Sequence, residues 1–132
     1  MRYQEKEMSN LAKKILYVQT SGTDTPERLY APFILATTAR AMGIDATVYF
    51  LGSGVTTVMK GQAEKIKLGS FPTVKQVMDQ AAKAGVRMLV CGQSCQMLGL
   101  KGSPEEVEDP AKVVGAATLN DLVLDYDAVL SF

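Results

Sequence analysis

The sequence predicts an α/β fold: three α/β/α layers around a five-stranded, mostly parallel sheet. Three observations carry this. Short apolar runs rich in β-formers recur along the chain, each closed by a glycine- or serine-containing turn. Segments of helical periodicity separate them, opened by capping residues and stopped by glycines. Alternation of strand and helix implies right-handed crossovers and helices on both faces of the sheet. At 132 residues the chain is long enough for one core and too short for two.

The residues from 1 to 13 are mostly polar and read as an N-terminal arm, leaving a single domain over 14–132. Ile15-Leu16-Tyr17-Val18 suits a strand buried on both faces, ended by the turn residues Ser21 to Asp24. Thr25-Pro26-Glu27 has the chemistry of a helix start, with Leu29, Pro32, Phe33, Ala36 and Ala39 at helical spacing up to Gly43. Pro32 lacks a backbone donor, so it must kink this helix or move its start. A second strand is expected over 46–51, followed by Gly52-Ser53-Gly54 and then a loop with a short helical piece up to Gly69. Thr73 opens a helix whose apolar face is Val74, Val77, Met78 and Ala81, stopping at Gly85. A strand over 86–91 runs directly into a helix over 94–98. Ser103 to Glu106 has a capping-box pattern for a single turn. A strand over 112–116, a helix capped by Thr118 through Tyr126, and a strand over 128–132 complete the chain.

Fourteen basic and fourteen acidic side chains cancel, and no basic run is interleaved with aromatics, so nucleic acid is not an expected partner. No apolar stretch reaches the roughly 20 residues of a membrane span. Met1 is followed by a charged segment unlike a signal peptide, and the expected location is cytoplasmic. The chain has no histidine, which excludes Ser-His-Asp and Cys-His catalysis and histidine-ligated zinc. Two cysteines alone cannot complete a thiolate zinc site, so neither metal nor cofactor is expected.

Ligands of open parallel sheets bind beyond the carboxyl ends of the strands. Here that rim holds residues 20–26, 52–55 and 91–94. Cys91 is the last residue of its strand, and the Gly92-Gln93-Ser94 turn would direct backbone N–H groups at its sulfur, favouring the nucleophilic thiolate. The alternative is that Cys91 is a small buried apolar residue. Cys95, four positions on, is a second thiol or a packing residue. Gly52-Ser53-Gly54 lacks the third glycine of a dinucleotide loop, so Gly54 marks either a tight turn or a backbone that approaches an anion closely. Arg28 either pairs with Asp24 and Glu27 or faces an anionic ligand. Lys60, Lys65 and Lys67, and the acids Glu105 to Asp109, read as solvated surface.

Several segments are together similar to the DsrE/DsrF-like family. They are Thr23-Asp24-Thr25-Pro26-Glu27-Arg28, Pro32-Phe33, Ala39-Arg40-Ala41-Met42-Gly43, the Gly54-Val55 loop, and Gly85-Val86 through Cys91-Gly92-Gln93-Ser94 to Leu98-Gly99-Leu100. The resemblance spans 14–132. It implies a flavodoxin-like layering, symmetric homo-oligomers such as trimers or hexamers, and a role in sulfur transfer, with Cys91 at the family's strand-end cysteine position. Cys95 departs from the pattern of many relatives, so its role is not inherited.

On this reading Cys91 takes a sulfane sulfur from a donor such as thiosulfate or polysulfide, holds it as a persulfide or thiosulfonate, and passes it to a partner sulfur-carrier protein. Gly92, Gln93 and Ser94 would bind the anionic sulfur, with Arg28 and Gly54 as further candidates. Two alternatives stand beside it: a thiol redox protein cycling Cys91 and Cys95, and a non-catalytic ligand-binding or assembly subunit.

Overall fold

Both faces of the central strands are apolar, and this sets the architecture. In a computed structural model, which describes residues 13–132, Asp45–Phe50 (β2) is buried along nearly its whole length. Ala46, Val48 and Phe50 point to one face and Thr47 and Tyr49 to the other, as the two-residue period requires. The other strands are Lys14–Gln19 (β1), Arg87–Cys91 (β3), Ala111–Val114 (β4) and Ala128–Ser131 (β5), in the order β4-β3-β2-β1-β5. Every pairing is parallel.

The helices form the outer layers. Ala31–Ala41 (α1) and Val74–Lys83 (α2) cover the Val48 face. There Phe33 meets Phe50 with ring centroids 5.8 Å apart, and the Tyr17 hydroxyl donates to the Leu35 carbonyl at 3.4 Å. Gly92–Met97 (α3) follows β3 without a loop, and Ala116–Asp125 (α4) crosses the opposite face. At one end of α4 the Tyr49 hydroxyl donates to the Gly115 carbonyl at 3.4 Å. At the other, the Tyr126 hydroxyl is hydrogen-bonded to Thr47 at 2.5 Å and accepts from the Arg87 guanidinium at 2.8 Å.

This path creates a crevice. The chain steps one way from β1 to β4, then α4 carries it back across the sheet to pair β5 with the far side of β1. Right-handed crossovers in opposite directions lie on opposite faces. The segments leaving β3 and β4 therefore diverge, opening the kind of gap in which doubly wound sheets hold ligands.

The α2 start is a capping box. Thr73 Oγ1 accepts from the Gln76 N–H at 3.1 Å, while Gln76 Oε1 accepts from the Thr73 N–H at 2.7 Å. Thr73→Ala removes an N-cap acceptor worth about 1 kcal/mol. A fall of about that size is expected in chemical denaturation, with the reactivity of Cys91 unchanged.

Three local expectations are corrected. The helix expected from Thr25 exists there only as a 3-10 turn, Pro26–Arg28, without a Thr25 side-chain cap. The helix proper starts at Ala31, which puts Pro32 in its first turn where the missing N–H costs nothing. Thr118 is not a cap, because α4 begins two residues earlier with Gly115 at the N-cap. Ser103 to Glu106 forms the single turn expected there: the Glu106 N–H reaches the Ser103 carbonyl at 2.9 Å. Its downstream residues pair with the segment after β2, through a Met59–Val107 bridge. That segment, expected as a loop with one helical piece, carries two 3-10 stretches, Gly52–Val58 and Ala63–Lys65. The arm expected over 1–13 lies outside the described residues except for Lys13, whose ammonium pairs with Asp127 at 3.7 Å.

Candidate functional site

Cys91 ends β3 and simultaneously caps α3. Its Sγ accepts the Ser94 N–H at 3.4 Å. Alternation puts the Cys91 side chain on the Tyr49 face of the sheet, because Tyr49 is paired with Leu89, two residues before Cys91. Ser94 is buried, and its Oγ accepts the Gly52 N–H at 2.8 Å. The Gly52 bond occupies a lone pair of Ser94 Oγ and leaves its proton free, and the hydroxyl is among the groups that favour the Cys91 thiolate.

These contacts decide the state of the thiol. Burial pushes the Cys91 pKa up, but the Ser94 hydroxyl and N–H, the Tyr49 hydroxyl and the Gln93 N–H outweigh it and leave the thiol below its ordinary value. The reciprocal effect appears at Tyr49. Its burial, together with the neighbouring Cys91 charge and hydrogen bond, pushes the phenol up to about 12, so it remains a proton donor at any physiological pH. Cys95 is shifted the other way, raised by burial and by the Cys91 charge. Both cysteines are free thiols, and only Cys91 has donors arranged to hold a thiolate.

The sulfur opens onto a cavity of about 360 Å³ at the carboxyl ends of β2 and β3, between α3 and the first turns of α4. The end of β2 contributes Tyr49, Leu51 and Gly52. Cys91 and α3 supply Gln93, Ser94 and Met97, and the first turns of α4 supply Ala116, Leu119 and Asn120. Gly92 sits beside the lining, packed against Val113 and Val114 of β4.

Of the residues singled out in the sequence, Cys91, Gln93 and Ser94 therefore meet in one cavity, with Gly92 behind them. Arg28 is exposed on its 3-10 turn and lines no part of the cavity. Gly54 is buried, and the space a Cβ would need is filled by the Gln19 carbonyl, so backbone crowding accounts for this glycine. Cys95 is buried on α3 against Gly102. Two contributions were not foreseen. Tyr49 could have been found, since it is the hydroxyl-bearing residue in the apolar run Val48-Tyr49-Phe50 and consecutive strands are usually neighbours. Leu119 and Asn120 carry no local signal, because only the return crossover brings α4 to the sulfur.

The fold and site define a class: parallel-sheet α/β proteins with a polarised thiol at a strand end, facing a crevice and unaided by histidine. The chain belongs to the DsrE/DsrF-like family, whose sequence model matches residues 13–132, and that family is associated with sulfur relay. Two relatives come from Methanocaldococcus jannaschii. The uncharacterized protein MJ0989 is 29% identical over 122 residues, covering 90% of this chain and 99% of that protein. MJ0760, also uncharacterized, is 25% identical over 115 residues, covering 87% of this chain but only 41% of its own length. Among solved structures, the YchN protein of E. coli superposes with a TM-score of 0.75 at 22% identity, covering 91% of this chain and 99% of that one. MTH1491 of Methanobacterium thermoautotrophicum, a protein of unknown function, gives a TM-score of 0.62 at 11% identity over 92% and 99% of the two chains. These structural likenesses speak for the fold. Among the described residues no helix is long and apolar enough to cross a membrane.

Proposed function

We propose that the protein is a sulfur-trafficking, sulfurtransferase-like carrier that loads a sulfane sulfur on Cys91 and passes it to the thiol of a partner sulfur-carrier protein. The observation that carries this reading is the Cys91 sulfur in the cavity, held by the Ser94 N–H at 3.4 Å and kept below the ordinary thiol pKa by neutral donors. The step needs no base. The Cys91 thiolate attacks the sulfane sulfur of a donor such as thiosulfate or polysulfide, the donor S–S bond breaks, and its electron pair leaves with the remainder of the donor. The partner thiolate then attacks the carried sulfur and releases Cys91. The same donors that hold the thiolate would hold the persulfide anion.

Both thiols are buried, but Cys95 is raised in pKa and lies outside the cavity lining, which makes it the weaker nucleophile and speaks against a redox cycle through the pair. The assembly proposed with this function is a homo-oligomer, a trimer or hexamer, in the cytoplasm. Val123 and Leu124 on α4 and Val129 and Leu130 on β5 are exposed apolar side chains that such an assembly would cover.

Intact-mass spectrometry of the reduced protein after exposure to thiosulfate, tetrathionate and polysulfide tests the reading. A reductant-reversible gain of sulfur is expected in the native protein and in Cys95→Ser, and none in Cys91→Ser. No adduct from any of these donors, nor from a neutral trisulfide run alongside, would remove the carrier role, and loss in Cys95→Ser as well would favour the redox pair.

A further inference from the structure

The charge of the donor can be read from the cavity. Among the described residues its lining holds no lysine, arginine, aspartate or glutamate, and its polar atoms belong to neutral groups: Tyr49, Gln93, Ser94, Asn120 and backbone. The rest is apolar, with Leu51, Leu119 and Met97 around the opening. Met97 is 76% exposed and the adjoining Leu98 43%, so the mouth is apolar as well as the interior. Arg28, the cation that sequence placed on this rim, is not in the lining. The chain as a whole has zero formal net charge, so no overall field draws anions in.

Cys91 reacts as an anion. A donor carrying charge would bring a second negative group within bonding distance of the thiolate, in a cavity without a cation to offset either. Desolvating unpaired charge is costly, and like charges at contact repel. A neutral donor avoids both costs and gains from the apolar lining.

We propose that the substrate of this cavity is a small, uncharged organic sulfane compound, a dialkyl trisulfide, rather than thiosulfate or inorganic polysulfide. The proposal rests on the carrier reading of Cys91. With a trisulfide R–S–S–S–R, the thiolate attacks the central, sulfane sulfur, one S–S bond breaks, and Cys91 becomes Cys–S–S–S–R while R–S⁻ departs with the electron pair. No outside oxidant or reductant is involved. A volume of about 360 Å³ lies at the small end of ligand pockets and fits compounds of this size.

The test compares loading rates of the native full-length chain with dimethyl trisulfide and with tetrathionate, read by intact mass over time. Each rate is divided by that of 2-mercaptoethanol with the same compound, which removes intrinsic reactivity. The normalised rate for the trisulfide is expected to exceed that for tetrathionate at least tenfold. Asn120→Arg, which adds a cation to the lining, is expected to raise the ratio of tetrathionate to trisulfide loading severalfold, and an unchanged ratio would count against the assignment. Equal or faster normalised loading by tetrathionate in the native protein overturns the neutral-donor assignment while the carrier role stands. Absence of loading by both compounds overturns the two together.

Discussion

Gly54→Ala should abolish stable folding or lower the unfolding free energy by more than about 3 kcal/mol, the upper end of the usual cost of overpacking. A Cβ at this position would lie 1.9 Å from the Gln19 carbonyl oxygen and 2.7 Å from its carbon. Both are backbone atoms at the end of β1, and the same carbonyl accepts the Leu51 N–H at 3.0 Å, so it cannot swing away without breaking the link between β1 and the end of β2. Gly22 presses from the other side, since its Cβ would meet the Ser53 carbonyl oxygen at 2.3 Å. Gly52 is the useful contrast. Its φ is +57° with open space where a Cβ would go, so Gly52→Ala bears only the left-handed backbone penalty of about 1–2 kcal/mol. Urea denaturation of the two variants separates them, and a Gly54→Ala protein as stable as Gly52→Ala would overturn the steric account. The clash also bears on the site, because the crowded turn positions the Gly52 N–H that holds Ser94.

The fold was largely legible, and for a definable reason. Strands buried on both faces read as continuous apolar runs, and Ile15 to Val18, Ala46 to Leu51 and Val86 to Cys91 are such runs. The structure moves their ends by one residue at most. The ends of helices were harder, because a capping side chain is common wherever the chain turns. Thr73 caps with a reciprocal glutamine, whereas Thr25 and Thr118 share its chemistry and do not cap. The strand-end thiol and the turn that polarises it lie in one short stretch, Cys91 to Ser94, so local reading could reach them. The remainder of the site comes from elsewhere in the chain. Tyr49 enters through strand register, and Leu119 and Asn120 through a crossover that spans the sheet, information held by topology and not by any local pattern. Gly54 shows the converse: its position left two readings open, and the close approach of the Gln19 backbone accounts for the glycine.

Ser94→Ala should alter Cys91 in a way that no general loosening of the fold can imitate. The substitution removes the hydroxyl donor to the sulfur and leaves the Gly52 N–H without its partner at 2.8 Å. Hydrogen bonds to charged groups are worth about 1.5–3 kcal/mol, so the thiolate fraction near neutral pH should fall by about tenfold or more. The remaining thiolate is more basic and hence more nucleophilic, which returns about half of that loss on a logarithmic scale. Alkylation by iodoacetamide, followed at Cys91 by peptide mass in a Cys95→Ser background, should therefore be severalfold slower in Ser94→Ala at pH 6–7. Once both proteins are fully ionised at high pH, the variant should be the faster, and the two pH profiles should cross. Increased exposure alone would raise the variant's curve at every pH without a crossing. Stability follows the same sign. The folded pKa of Cys91 lies below its unfolded value, so the unfolded chain binds more protons between the two and the native state gains stability as pH rises through that window. Cys95, raised on folding, contributes stability below the unfolded thiol pKa and loses it as pH rises toward its own higher value. Relative to native protein, Cys91→Ser should lose ground with rising pH across the Cys91 window and Cys95→Ser should gain ground above it. Urea midpoints measured from pH 6 to 10 resolve the two opposite slopes, and parallel curves for native and both variants would mean that neither thiol titrates differently in the fold.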